Sequence, residues 1–288
     1  MKILVGVTSD SASTDAIALT GLLQKVSGAQ VVLGNIYPHA SSRAGIDKVD
    51  LEWVAYLQQR AEETVADALE EAVDYGVTDA TTAIHGHHAS GSGLGELAQT
   101  IGAEMIVIGS APGSANGRFL IGSTADQLLH GSHVPVALAP ADYRRVYPRE
   151  IGGLVVAFQD TSESRRALQW AAEYGRSLPL TALTVLVRHR VMGSNQAFDG
   201  EMLVARQSLD DAERGLEEAT RELGVEADLA VCTGDTAQSA LQRYDWNGDE
   251  LLVLASAAGL VRRVFLGDMT YKLIRGTSVP AVVLPRHT

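Results

Sequence analysis

Only one cysteine, Cys232, occurs among the 288 residues. No disulfide can form within the chain, and a reducing compartment, the cytoplasm, is the expected location. The run ADLAVC around Cys232 makes it a small core residue rather than a reactive thiol. Positive charge is short as well: 23 Lys and Arg stand against 35 Asp and Glu, a net charge of −12. So acidic a chain has no broad basic face, and neither nucleic acid nor an anionic membrane is an expected partner. Long apolar runs are missing. The amino terminus, MKILVGVTSD, turns polar at Thr8, and nothing later approaches the roughly 20 residues of a membrane span, so neither a leader nor a span is expected. Also absent is a G-x-x-x-x-G-K-[ST] loop, and with it the lysine that usually balances phosphate charge. Gly91-Ser92-Gly93 lacks the strand-to-elbow context of a hydrolase nucleophile and reads as a helix entry. No catalytic set stands out, so no dedicated enzyme is expected.

What is present is a soluble globular balance, 46% hydrophobic and 20% charged, with length enough for two ordinary domains. Residues 2–7 (KILVGV) form a continuous apolar strand, and Thr8-Ser9-Asp10 forms a polar turn that can cap a helix over Ser13 to Val26. A second strand, Gln30 to Tyr37, follows directly, as expected of a right-handed crossover in a parallel sheet. After a loose segment, His39 to Gly45, a long helical pattern runs from Lys48 to Tyr75. Its sheet-facing side is expected to carry Leu51, Val54, Ala55, Leu57, Ala61, Val65, Ala68, Leu69 and Ala72, with Glu62, Glu63, Asp67 and Glu70 in water. A third strand (Ala80 to His85), a short helix (Leu94 to Ile101), a strand ending at Gly109, a helix opening at Gly122 and a last strand (Pro135 to Ala139) complete the pass. The sum is five strands alternating with four helices, a doubly wound α/β sheet.

Residues 140–150 (PADYRRVYPRE), charged and bounded by prolines, read as a connector. The pattern then restarts: a strand over Leu154 to Asp160, a helix over Glu163 to Ser177, a strand over Leu180 to Val187, a long acidic helix over Met202 to Leu223, a strand over Glu226 to Cys232, a helix over Ala237 to Tyr244, and a terminal copy from Leu251 to Pro285. Gly122 aligns with Gly267, Pro135 with Pro280 and Pro140 with Pro285, each pair 145 apart. A period this long means duplicated domains rather than a solenoid. The expected division is 1–141, a linker at 142–150, and 151–288.

The stretch that organises each half is a strand, a glycine-bearing loop and a helix start, in the first half IVIGSAPGSANGRFLIGSTADQLL. Unpaired N–H groups at such a helix start, with the positive end of the helix dipole, suit a phosphate. These residues resemble the universal stress protein family, in a tandem arrangement covering essentially the whole chain. The resemblance implies five-stranded parallel domains of the adenine nucleotide alpha hydrolase-like fold with strand order 3-2-1-4-5. Members that hold ATP carry a glycine, two residues, a second glycine, nine residues, then Gly-Ser or Gly-Thr. Here Gly109 is followed by Ser110, Ala111, Pro112, nine residues and Gly122-Ser123. The spacing is intact, but proline stands at the second glycine and removes one N–H donor. Gly113 is expected to restore a close backbone approach, and Ser110, Ser114 and Asn116 to line the loop. Gly122, Ser123 and Thr124 remain as the cradle for phosphates.

The resemblance therefore implies a stress-response protein that binds ATP, with or without Mg, or another adenine nucleotide in its first domain only, with at most slow incidental hydrolysis. Site residues so implied are Thr8, Ser9, Asp10, Ile36, Ile108, Gly109, Ser110, Gly113, Gly122, Ser123 and Thr124, the adenine lying near Ile36. Thr8 stands where many members have aspartate, and Asp10 either reaches the nucleotide or its metal or caps the following helix. In the second half the glycines of the first triplet are Ala255 and Ala258, Asp268 replaces the serine, and Arg262 and Arg263 offer the nearby positive charge; binding there is not expected. His85, His87 and His88 are open to three readings: solvated loop histidines, a nucleotide contact or a metal pair. In the family the last strand pairs across a dimer, so Val134 to Pro140 and Val279 to Pro285 imply an intra-chain pseudo-dimer and a possible homodimer. The alternative to nucleotide binding is a stress scaffold of the same fold whose loops hold no nucleotide. An ATP pyrophosphatase-like transferase would need Ser-Gly-Gly-x-Asp-Ser where this chain has Thr8-Ser9-Asp10-Ser11.

Overall fold

Runs of β-branched and aliphatic residues with no polar alternation belong in strands covered on both faces, and the chain places them so. In the computed structural model, which describes residues 1–39, 48–113, 117–187, 197–256 and 268–285, the chain divides between Glu150 and Ile151 into two compact units. The first carries β1 (Lys2–Gly6), α1 (Ser11–Ser27), β2 (Gln30–Tyr37), α2 (Lys48–Asp74), β3 (Thr81–Gly86), α3 (Ser90–Ile101), β4 (Met105–Gly109), α4 (Ser123–Gly131) and β5 (Val136–Ala139). All pairings are parallel, β1 with β2 and β4, β2 with β3, and β4 with β5, which gives the order 3-2-1-4-5.

The second unit repeats this with β6 (Gly153–Ala157), α5 (Ser162–Tyr174), β7 (Leu180–Val187), α6 (Ala197–Leu223), β8 (Asp228–Gly234), α7 (Ala237–Leu241), β9 (Glu250–Ala255), α8 (Asp268–Gly276) and β10 (Ala281–Leu284). Its order is β8-β7-β6-β9-β10, again parallel throughout. The expected doubly wound sheet is thus present twice.

Strands β1 and β4 form the centre of the first core, with Ile3, Leu4, Val5, Ile106 and Val107 all buried. Helix α1 covers them with Ile17, Leu19, Leu22 and Leu23, and ends at Gly28, whose left-handed φ of 62° closes the helix. On α2 the stripe that reaches the sheet is Ala61, Val65, Ala68 and Ala72, a 4-3-4 spacing on one helical face. Ala55 and Leu69, expected on that face, are exposed because they fall off this spacing, and Val54 and Leu57 are half-buried. Leu51 lies outside the residues whose side chains are described.

Two helices end earlier than the pattern predicts. Helix α5 stops at Tyr174, where Gly175 takes the cap, and α7 stops at Leu241, after which Arg243 and Tyr244 continue only in turn hydrogen bonds. The stretch expected to be a connector is docked on the first unit rather than hanging free. Tyr143–Arg145 form one 3-10 turn with Tyr143 buried. Asp15 of α1, only 2% exposed, accepts hydrogen bonds from the backbone N–H groups of Asp142 (2.9 Å) and Arg144 (3.0 Å) and from the Arg144 guanidinium (3.0 Å). Further on, the Tyr147 hydroxyl donates to the carbonyl of Tyr75. Cys232 is buried, and burial pushes its thiol up to about 11, so it stays protonated and unreactive as expected. No helix among the described residues is long and apolar enough to cross a membrane.

Candidate functional site

In a doubly wound sheet the crevice opens where the strand order reverses, at the carboxyl ends of the strands. In the first unit that point lies between β1 and β4, and a cavity of about 240 Å³ occupies it. Its floor is Gly6 and Gly34, paired across β1 and β2, and its sides are Ile36, Leu94 and Ile108. Thr8 and Asp10 line it from the turn after β1, Gly109, Ser110 and Pro112 from the end of β4 and its loop, and Gly122, Ser123 and Thr124 from the start of α4. Thr8, Asp10 and Ser123 are exposed, so the mouth opens to water there. Nine of the eleven expected residues therefore meet around one cleft. Ser9 and Gly113 do not line it. Ser9 sits in the bend that leads to α1. Gly113 spends its conformational freedom, φ +87°, on turning the loop just past Pro112, instead of bringing backbone to the cleft. Ser114 and Asn116 lie outside the described residues.

Local hydrogen bonding decides which groups remain open. Asp10 caps α1, its carboxylate accepting from the Ala12 N–H (3.0 Å) and from the Thr8 hydroxyl (2.9 Å), while the Thr8 N–H donates to the Ser13 hydroxyl (2.5 Å). Capping and facing the cleft thus fall to the same residue. The Ser110 hydroxyl is engaged within the loop: it accepts from the Leu120 N–H at 2.8 Å, and Ala111 N–H donates to the Leu120 carbonyl at 3.0 Å. The Ser110 hydroxyl also donates to the Leu120 carbonyl at 3.5 Å, so Ser110 lines the cleft while tying the base of the loop to Leu120. Gly109 is where backbone approaches backbone, because a Cβ there would fall on the carbonyl of Ala12 in the first turn of α1.

Helix α4 is different. Its N-cap, Gly122, has no side chain to cap with, and the first bonded amide is that of Asp126, to the Gly122 carbonyl at 2.9 Å. The N–H groups of Ser123, Thr124 and Ala125 have no partner among the described residues. They carry the positive end of the helix dipole and can accept an anion directly. No lysine or arginine lines the cleft among the described residues.

The histidines after β3 form an acid-base cluster. His85 Nε2–H donates to one oxygen of Glu96 on α3 at 3.1 Å, and His87 Nε2 lies 3.4 Å from the other. His87 Nδ1 lies 2.8 Å from the Ala89 carbonyl oxygen and 3.0 Å from the Ala89 backbone nitrogen, which fixes the ring against the turn into α3. His88 stacks on His87 with centroids 4.3 Å apart. The hydrogen bond from His85, with the charges of the neighbouring imidazoles, holds the Glu96 carboxyl below its ordinary range. No group of three ligands able to hold a metal ion occurs among the described residues. None of the three histidines lines the cleft.

The matching cavity of the second unit measures about 140 Å³. Its strand ends differ: where β1 and β2 pair Gly6 with Gly34, β6 and β7 pair Ala157 with Leu183. Phe158, whose N–H bonds the Leu183 carbonyl as that of Val7 bonds Gly34, adds further bulk. Met269 and Leu273 of α8 and the carboxylate of Glu163 line the rest. Ala258, Arg262, Arg263 and Gly267 lie outside the described residues. Gly6 and Gly34 escaped the sequence reading, although a lone glycine inside an apolar strand (KILVGV, QVVLGNIY) marks close backbone approach.

Fold and cleft together define a tandem doubly wound α/β protein with a crevice at the strand ends of its first half. The chain belongs to the universal stress protein family, whose family profile matches residues 1–140 and 152–285. It is 33% identical over 299 aligned residues to the Universal stress protein Rv2319c of Mycobacterium tuberculosis, covering 99% of this chain and 100% of the relative. Among solved structures it is similar to a universal stress protein of Archaeoglobus fulgidus, with a TM-score of 0.69 at 19% identity, covering 99% of this chain and 98% of that one. A shorter universal stress protein, solved in complex with cAMP, covers 48% of this chain at 21% identity, with a TM-score of 0.38 over 96% of its own length.

Proposed function

We propose that the first unit binds an adenine nucleotide, ATP or a relative of it, in this cleft, and that the complex itself, rather than a chemical step, is the protein's contribution to the stress response. One observation carries the reading: three unpartnered amides at the start of α4 open onto a crevice at the strand ends, lined by Gly6, Gly34, Ile36, Leu94 and Ile108. The base fits the apolar end beside Ile36 and Leu94, and the phosphates point to the exposed mouth at Ser123. When a triphosphate enters with Mg, Asp10 is the carboxylate that faces its metal. The second unit, with its smaller cavity and the Glu163 carboxylate, is read as a structural partner that binds none.

A scaffold without nucleotide is the second reading, favoured by Pro112, which removes a donor, and by the lack of a lining cation among the described residues. Thermal unfolding of the purified chain with millimolar adenosine, AMP or Mg-ATP separates the two, since a ligand of the folded state must raise the midpoint. A rise with one nucleotide per chain by calorimetry is expected. No rise with any of them leaves the scaffold, and two nucleotides per chain refutes restriction to the first unit.

A further inference from the structure

The second cleft keeps the place of the first and changes its chemistry. Thr161 caps α5 where Asp10 caps α1, so the carboxylate at that turn is gone. Another stands two residues on: the Gln159 N–H donates to the Ser164 hydroxyl as the Thr8 N–H does to Ser13, which aligns Glu163 with Ala12, and both line their clefts. Hydrogen bonds from its own backbone N–H and from the Ser162 hydroxyl hold the Glu163 carboxyl below its ordinary range, so it is charged at neutral pH. Its one ion-pair partner among the described residues is Arg166, at 4.0 Å, and no lysine or arginine among them lines the cavity. On α8, Thr270 stands where the first cleft has Ala125, 145 positions earlier. It is only 2% exposed and lines the cavity, and its hydroxyl has no hydrogen-bond partner among the described residues. Because no fully enclosed polar side-chain atom among those residues lacks a partner, this hydroxyl faces the open space of the cavity.

A buried hydroxyl without a partner is unfavourable, and a ligand that bonds it removes that cost. Phe158, Leu183, Val185, Leu254 and Leu273 make the rest of the wall largely apolar. At about 140 Å³ the space is close to the roughly 150 Å³ apolar cavity that takes a benzene ring. An anion is disfavoured, because the one charged side chain on this wall among the described residues carries its own sign. We propose that the second cleft binds a small apolar amine of about one ring, with Glu163 as its counter-ion and the Thr270 hydroxyl as its hydrogen-bond partner. This stands apart from the nucleotide reading of the first unit: the two clefts share a place in the fold and take ligands of opposite charge.

The test is methyl NMR of the full chain titrated at neutral pH with benzylamine, benzyl alcohol and benzoate, which share a ring and differ in charge. Benzylamine should move the methyl signals of Val185, Leu254 and Leu273 and leave those of Ile36, Leu94 and Ile108 in the first cleft where they are. It should bind about tenfold more tightly than benzyl alcohol, and benzoate should not saturate. Glu163→Gln keeps the shape without the charge and should abolish the preference for benzylamine over benzyl alcohol. Thr270→Val replaces the hydroxyl by a methyl and should weaken benzylamine about fivefold. Unliganded melting of each variant checks the fold. Benzylamine that leaves the second-cleft methyls unmoved overturns the proposal, as does benzyl alcohol or benzoate binding as tightly as benzylamine. Unchanged benzylamine affinity in both folded variants overturns it as well.

Discussion

Replacing Gly122 by aspartate puts the anion that the cleft awaits onto the protein itself. Gly122 is the N-cap of α4, with an extended backbone and no capping side chain. An aspartate there reaches the N–H of Thr124 or Ala125, the second and third helical residues, as N-cap carboxylates do. The added Cβ would stand 3.0 Å from Ala111 Cβ, which has to give by a few tenths of an ångström. The cap gains a few tenths of a kcal/mol over glycine, so unliganded stability should stay within about 0.5 kcal/mol of the parent. For the ligand the change is large. A hydrogen bond to a charged group contributes about 1.5–3 kcal/mol, and the loss of one at the upper end, about 3 kcal/mol, corresponds to roughly 150-fold weaker binding. With nucleotide at about 100 times the parent Kd, the parent gains about 2.7 kcal/mol, which for a domain of this size is a midpoint shift of roughly 5–10 °C. At the same concentration the variant should gain about 0.3 kcal/mol, about 1 °C or less. Differential scanning fluorimetry over a nucleotide series reads both numbers. Gly122→Ala adds the bulk without the acceptor and should keep most of the shift. A Gly122→Asp protein that shifts like the parent would show that no phosphate rests on these amides.

Gly109→Ala should lower the unfolding free energy by about 1–3 kcal/mol or more, because its Cβ meets the Ala12 carbonyl, a backbone atom that cannot rotate aside. Gly95→Ala, in open space on α3, should instead gain up to about 1 kcal/mol; urea denaturation compares the pair, and equal midpoints would refute the contact. At the histidine cluster, His85→Ala should let the Glu96 carboxyl rise toward its ordinary range, seen by NMR titration of its side-chain carbon. A depressed carboxyl stabilises the fold above its unfolded pKa and loses that contribution as pH falls through the folded one, so the variant's deficit should be present at neutral pH and vanish in acid. An unmoved Glu96 in the variant would mean that the hydrogen bond is not its cause.

Most of the fold was legible because the buried parallel strands are uninterrupted apolar runs and the duplicated anchors repeat at 145 residues. Helix ends were less so: whether α5 stops at Tyr174 depends on the room beside Gly175, where a Cβ would strike Leu154, and no local pattern carries that. The way the connector is held was hidden for a related reason. Arg144 is bonded to Asp15, 129 positions away, and a long-range pair leaves no mark on composition.

At the site the same division holds, and it has a physical basis. Residues that act through backbone position, such as Gly109 and Gly122, are found by spacing, because a turn needs them at a fixed distance along the chain. Residues that act through a side chain reaching across the fold are not. Ser110 reads in sequence as a residue lining the loop, and its bonds to Leu120 could not be read there; Gln127 looks like an ordinary helix position and instead closes α3. A change of floor separates the two units. The first cleft, with Gly6 and Gly34 at its strand ends, encloses about 240 Å³, and the second, with Ala157 and Leu183 at the same register, about 140 Å³. The sheet tolerates either pair, since both keep the parallel ladder intact and add or remove only apolar bulk at its carboxyl edge. A duplicated half can therefore change the lining of its crevice without losing its fold.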